Sequence, residues 1–133
     1  MKAVFDANVV LGGICWHGEG WLCLTRLAQR RAFAYGTVAT IEETRQTALE
    51  LIKERRPAHN AAARLTWYLE KVRIVEPAAL GKARSRDPKD DAYIAAALAA
   101  GAHALVTYDK DLLCLEKPFG IEIIRPARFL AIV

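Results

Sequence analysis

The sequence contains few of the residues that mark secreted, disulfide-rich or fibrous proteins. Only three of its 133 residues are cysteines, so Cys15, Cys23 and Cys114 cannot all pair, and they show no CxxC spacing. This pattern predicts a reduced, cytoplasmic protein and argues against a structural zinc site. Eight glycines and five prolines are too few for a collagen-like or low-complexity chain.

Long hydrophobic runs are also missing. The longest stretch without a formal charge, 92–108, is mostly alanine, includes Gly101 and His103, and is too short to span a membrane. Asp6 interrupts the first apolar stretch, which is not typical of a secretory signal. We therefore expect a protein without a membrane partner. A content of 53% hydrophobic and 26% charged residues predicts one globular domain over residues 1–133.

The excess of positive charge is modest. Nineteen lysines and arginines oppose 15 aspartates and glutamates, giving a net charge of +4. This balance is compatible with a nucleic-acid partner, but a solvated cationic surface would look the same. The basic residues within Arg45–Arg56 and Lys82–Lys89 are candidates for phosphate contacts, and charge alone assigns no RNA-binding residue.

Short apolar runs alternate with stretches of helical periodicity along the chain. Strands are predicted at Lys2–Phe5, Phe33–Val38, Arg73–Val75, Ala104–Tyr108 and Ile121–Ile124. Helices are predicted at Trp21–Ala32, at Thr40–Arg56 with a capping box over Thr40–Glu43, at Ala61–Lys71 and at 88–100, with a terminal turn at Arg128–Ile132. The last long helix has Asp87 as its cap, Pro88 at its first position and Gly101 after its end. This alternation predicts a three-layer α/β/α sandwich with a central parallel sheet.

Carboxylates occur at positions where a parallel sheet could bring them together. Five of the six aspartates lie between residues 87 and 111. Asp6 and Asp109 each follow a predicted strand, and the carboxyl ends of parallel strands line the functional crevice of such folds. Glutamates or aspartates also occupy the first turns of two predicted helices, at Glu42, Glu43, Asp90 and Asp91. Taken singly, each of these acids could be an ordinary turn or helix-cap residue.

Together, these carboxylates predict a metal site. Carboxylates that converge repel one another, and a hard divalent cation relieves that repulsion. Magnesium prefers carboxylate oxygens, and a phosphate of the substrate commonly completes its coordination. Because His17, His59 and His103 have no metal-ligand spacing, zinc is disfavoured.

Four segments carry a family resemblance. They are Val4-Phe-Asp-Ala-Asn-Val9, Ile41-Glu-Glu-Thr-Arg45, Asp87-Pro-Lys-Asp-Asp-Ala-Tyr-Ile-Ala-Ala-Ala97 and Leu105-Val-Thr-Tyr-Asp-Lys-Asp-Leu-Leu113. In this order and spacing the chain resembles the PIN-domain nucleases, especially the toxin components of type II toxin–antitoxin modules. Tyr108 departs from the small or basic residue that often precedes the last aspartate of the family pattern.

The resemblance implies a ribonuclease that depends on Mg²⁺ or Mn²⁺ and leaves a 5′-phosphate and a 3′-hydroxyl. The acidic quartet of the family corresponds here to Asp6, Glu43, Asp90 and Asp109. Of these, Asp6, Asp90 and Asp109 would hold the metal, and Asn8, Thr107 and Asp91 would be polar supports. Asp91 remains an alternative to Asp90, as Glu42 does to Glu43.

The resemblance also implies partners: an RNA substrate, a second copy in a homodimer and an antitoxin protein. Apolar surface available for such contacts would be left exposed by two groups of residues: Trp16, Trp21 and Leu24, and Trp67, Tyr68 and Leu69. Two other functions remain open, a degenerate nucleic-acid-binding module and a magnesium-dependent small-molecule phosphatase. The sequence has no GxxxxGK[ST] loop, which argues against a nucleotide triphosphatase.

Overall fold

The structure is a computed structural model that describes residues 1–57 and 60–133, so His59 lies outside the described residues. These residues form a five-stranded sheet in which every pairing is parallel, in the order β3-β2-β1-β4-β5. The strands are β1 (Lys2–Phe5), β2 (Phe33–Gly36), β3 (Arg73–Ile74), β4 (Ala104–Val106) and β5 (Glu122–Ile124).

Helices cover both faces of the sheet. In chain order they are α1 (Ala7–Cys15), α2 (Glu19–Ala28), α3 (Val38–Arg55), α4 (Ala61–Lys71), α5 (Pro88–Ala100), α6 (Lys110–Leu113) and α7 (Pro126–Ile132). Alternate residues of β1 point to opposite faces. Ala3 and Phe5 join the core beneath α1–α4 and α7, whereas Val4 joins the core beneath α5 and α6. The predicted α/β/α sandwich with a parallel sheet is confirmed.

The amino end of α5 follows its sequence signals. The Asp87 side chain accepts a hydrogen bond from the Lys89 amide at 2.9 Å, and Pro88 occupies the first helical position. Gly101 ends the helix with φ +64°, a conformation that favours glycine. Asp90 and Asp91 therefore lie in the first turn, as predicted.

The start of α3 differs from the prediction. Its cap is Thr37, whose side chain accepts from the Thr40 amide while the Thr40 hydroxyl accepts from the Thr37 amide. The capping box therefore lies three residues before the predicted one. As a result, Glu42 and Glu43 lie in the second turn, and neither is used in capping the helix.

Helix α1 was not predicted, and its glycines explain why. A Cβ atom on Gly13 would lie 2.7 Å from the Gly20 carbonyl oxygen, and one on Gly20 would lie 2.6 Å from the Val9 carbonyl oxygen. The two glycines thus allow α1 and α2 to touch through their backbones, although glycine lowers helix propensity. Close packing outweighs propensity here.

Several element ends also differ from prediction. Helix α2 spans 19–28 instead of 21–32, because Arg30 takes a left-handed conformation with φ +58°. Strands β2 and β4 each stop two residues early, and the expected terminal turn is the helix α7.

None of the helices within 1–57 and 60–133 combines the length and apolar character that a membrane span requires.

Candidate active site

The candidate site lies where β1 and β4 end. These neighbouring strands run parallel, so Asp6 and the residues from Thr107 to Asp109 emerge side by side at the same edge of the sheet. The Asp6 amide donates to the Val106 carbonyl at 2.9 Å, which ties the two strand ends together. Both aspartates also begin helices, Asp6 at α1 and Asp109 at α6.

Thr107 connects Asp6 to the turn that carries Asp109. Its hydroxyl donates to Asp6 Oδ2 at 2.7 Å and accepts from the Asp109 amide at 2.9 Å. Thr107 is fully buried and Asp6 is 7% exposed. A buried hydroxyl with two partners fixes the position of the Asp6 carboxylate.

Asp90 and Asp91 are adjacent in sequence but have different surroundings. Asp90 is buried, and its carboxylate accepts from the Ser85 hydroxyl at 3.3 Å. Asp91 accepts instead from the backbone amides of Arg84 and Ser85, the closest at 2.8 Å. Asp91 therefore holds the loop before α5, and Asp90 is the one of the pair directed to the other acids.

The two glutamates of α3 separate in the same way. Glu42 forms an ion pair with Arg45 and accepts from Gln46, both on its own helix. Glu43 accepts a hydrogen bond at 3.1 Å from the hydroxyl of Tyr93, which is buried on α5. Tyr93 thus links Glu43 of α3 to the helix that carries Asp90.

A further carboxylate joins the cluster. Carboxylate oxygens of Asp90, Asp109 and Asp111 lie within 4.8 Å of one another, close enough to share one cation. Asp111 was not predicted as a site residue, although it follows Asp109 by two positions in the first turn of α6. Its amide donates to Asp109 Oδ1 at 2.9 Å, so the short helix orients both acids.

Electrostatics within the cluster favour a cation. Burial, together with the neighbouring charges of Asp109, Asp87 and Asp6, raises the pKa of Asp90 to about 6 against the opposing hydrogen bond from Ser85. Burial also raises the pKa of Asp6, with Glu43 and Asp109 adding to the effect against the hydrogen bond from Thr107. Such shifts mean that the ionised forms lack compensating positive charge.

Nearby side chains do not supply that charge. Within the described residues, the only salt bridge joins Arg45 and Glu42, outside this cluster. Oxygen donors without a cationic partner are the ligand set that suits Mg²⁺ or Mn²⁺. The residues present therefore fit a divalent cation.

Two other residues from the sequence prediction lie at the margin of the site. Asn8 is exposed in the first turn of α1, and in the described part of the chain its side chain forms no hydrogen bond to the carboxylates. Tyr108 is 37% exposed, and its hydroxyl donates to Glu19 at 3.3 Å. The Tyr108 side chain is therefore directed toward the start of α2.

Glu43 also lines a groove of about 620 Å³ between α3 and the start of α5. Its charged lining residues are Glu42, Glu43, Glu50 and Lys89, and we call it the acidic groove. Even with Glu42 paired to Arg45, this groove holds more acids than bases, which disfavours a polyanion unless a cation is bound nearby.

Comparison with known proteins agrees with this geometry. Neither the curated proteins nor the solved structures give a match to the chain. The sequence model described as PIN domain matches residues 2–111, a span that contains β1 to β4 and the residues Asp6, Glu43, Asp90 and Asp109. The chain therefore belongs to the PIN domain family, whose members are generally metal-dependent nucleases.

Proposed function

We propose that the protein is a metal-dependent endoribonuclease whose centre is formed by Asp6, Glu43, Asp90 and Asp109. The observation that carries the proposal is the convergence of carboxylates on one edge of the sheet, of which Asp6 and Asp90 are buried and have raised pKa values. Such a cluster is costly for a protein that holds no cation there. A binding module would gain nothing from it, because carboxylates repel RNA.

Each acid has a distinct role in the proposal. Asp6, Asp90 and Asp109 would hold Mg²⁺ or Mn²⁺, and Asp111 lies close enough to Asp90 and Asp109 to contribute an oxygen. When bound, a divalent ion lowers the pKa of water and neutralises charge on the phosphodiester. Glu43, fixed by the Tyr93 hydroxyl, would orient the attacking water so that cleavage leaves a 5′-phosphate and a 3′-hydroxyl.

The test is cleavage of single-stranded and hairpin RNA by purified protein, with EDTA, Mg²⁺ or Mn²⁺. We expect cleavage only with a divalent ion and its loss in Asp109→Asn. Full RNase activity in that variant would contradict the assignment. Hydrolysis of a model phosphate ester without RNA cleavage would favour the small-molecule phosphatase.

The proposal extends to residues beyond the family match. Strand β5 pairs with β4, and Phe129 of α7 packs edge-on against Phe5 with ring centroids 5.3 Å apart. These contacts support one domain over 1–133. The free thiols of Cys15, Cys23 and Cys114 support a cytoplasmic location.

The toxin role rests on exposed apolar surface. Leu24 and Tyr68 are buried, contrary to the expectation that they add to this surface, but Trp16 is 50% exposed. An apolar cavity of about 260 Å³ between α2 and α4 is lined by Trp21 and Trp67. We propose a homodimer and an antitoxin that covers this surface. A monomer in light scattering at micromolar concentration, with no growth arrest on expression, would contradict both.

A further inference from the structure

A second groove of about 620 Å³ matches the acidic groove in volume but carries the opposite charge. Its lining includes Leu27, Arg30, Phe33, Trp67, Lys71 and Arg73, and we call it the cationic groove. Three bases and no acid line it, against three acids and one base in the acidic groove. Although the net charge of the chain is modest, acidic and basic side chains are therefore concentrated in different grooves.

The cationic groove lies at the opposite edge of the sheet from the acidic cluster. Phe33 begins β2, and Lys71 ends α4 just before β3. The groove thus lies at the amino end of β2, whereas Asp6 and Asp109 follow the carboxyl ends of β1 and β4. A ligand in one site leaves the other free.

The Arg73 guanidinium is held in place by aromatic rings. Its Cζ atom lies 4.7 Å from the centroid of Phe33, and Nη1 donates to the Tyr35 hydroxyl at 3.3 Å. Among the described residues, neither Arg73 nor Lys71 or Arg30 forms a salt bridge with a carboxylate. These charges are available to an anion from outside, and a positioned guanidinium suits a phosphate.

Arg30 stands where a glycine would be easier to accommodate. The Arg30 amide donates to the Leu27 carbonyl and the Arg31 amide to the Arg26 carbonyl, which is the hydrogen-bond pattern of a Schellman motif. Its left-handed residue is usually glycine, yet here it is Arg30 with φ +58°. The side chain of Arg30 is one of the three bases that line the groove.

We infer that the cationic groove binds the phosphate backbone of single-stranded RNA without metal, apart from the site of cleavage. The three bases would contact phosphates along the backbone of the RNA. The choice of RNA over other polyanions rests on the proposed ribonuclease function. The acidic groove repels the same ligand until a cation is bound.

The experiment measures RNA binding separately from cleavage. Fluorescence anisotropy of a labelled 20-nucleotide RNA is followed in EDTA over a salt series, using Asp109→Asn as the parent. The test variant adds Arg30→Gln and Lys71→Gln. The matched control adds Lys117→Gln and Arg128→Gln, two exposed bases that lie outside the cationic groove.

We expect the test variant to lose roughly tenfold in affinity at low salt and the control to lose little. The slope of log K against log salt should fall by about 0.7 for each phosphate contact removed. Equal losses in both variants would mean diffuse attraction, and no loss in the test variant would mean that the groove is not used; either overturns the inference. Cleavage by the same variants with Asp109 restored tests the ribonuclease assignment independently.

Discussion

The raised pKa of Asp90 makes a specific prediction about stability without metal. Its value of about 6 lies roughly two units above the ordinary value of 3.8. Between pH 4 and 6 the folded protein keeps a proton that the unfolded chain has released. Stability in metal-free buffer therefore falls as the pH rises through this window, and this penalty is absent below it.

The penalty can be removed by a single substitution. Two pKa units correspond to about 3 kcal/mol, which is an upper bound because partial solvation of the carboxylate reduces the penalty. We expect Asp90→Asn to raise the free energy of unfolding at pH 7 by about 1–3 kcal/mol in EDTA. The fall in stability between pH 4 and 6 should become smaller, since asparagine does not titrate there.

Asp91, the neighbouring residue, gives a matched control for which the expected change in the free energy of unfolding has the opposite sign. Asp91 accepts hydrogen bonds from two backbone amides, so Asp91→Asn weakens charge-assisted bonds and should cost about 1 kcal/mol. Urea denaturation of the two variants and the parent at pH 4, 5, 6 and 7 measures both effects. An Asp90→Asn variant no more stable than the parent at pH 7, with the same pH dependence, would refute the reasoning.

Three further predictions concern the metal, Thr107 and the glutamates of α3. A divalent ion at 100 times its Kd should stabilise the parent by about 2.7 kcal/mol in thermal denaturation, and Asp109→Asn should lose most of this effect. Thr107→Val, which leaves Asp6 without its donor, should cost about 1–3 kcal/mol in urea and lower cleavage; an unchanged stability would contradict this. Glu43→Gln should abolish cleavage in an RNase assay, whereas Glu42→Gln should leave it intact. Full activity in Glu43→Gln would show that Glu43 plays no part in the chemistry.

The fold was predictable where the sequence signals are local. Asp87, Pro88 and Gly101 mark both ends of α5, and each works within a few residues of its own position. Helix α1 escaped prediction because Gly13 lowers its local propensity while enabling contact with Gly20 on another helix. A contact between two helices cannot be predicted from the residue pattern of one helix alone.

The candidate site was predictable to the level of strand ends. The positions of Asp6 and Asp109 follow from a parallel sheet, but two choices between neighbours depended on hydrogen bonds and ion pairs that the strand and helix pattern does not show. Asp91 accepts hydrogen bonds from the amides of the loop before α5, which has no periodic pattern. Glu42 forms an ion pair with Arg45. The D-x-D spacing of Asp109 and Asp111 was the sequence signal from which Asp111 could have been predicted as a site residue.

The separation of charge connects the candidate site to the cationic groove. A chain with a net charge of +4 attracts a polyanion only weakly as a whole, and the acidic groove repels it locally. Bases gathered at the far edge of the sheet would hold RNA without neutralising the carboxylates, which a closer cluster of arginines would do. Placing attraction and metal binding at opposite edges would therefore leave the acids free of protein cations and available to a divalent ion. It also makes binding sensitive to salt and cleavage sensitive to the divalent ion, so the two dependences can be varied independently.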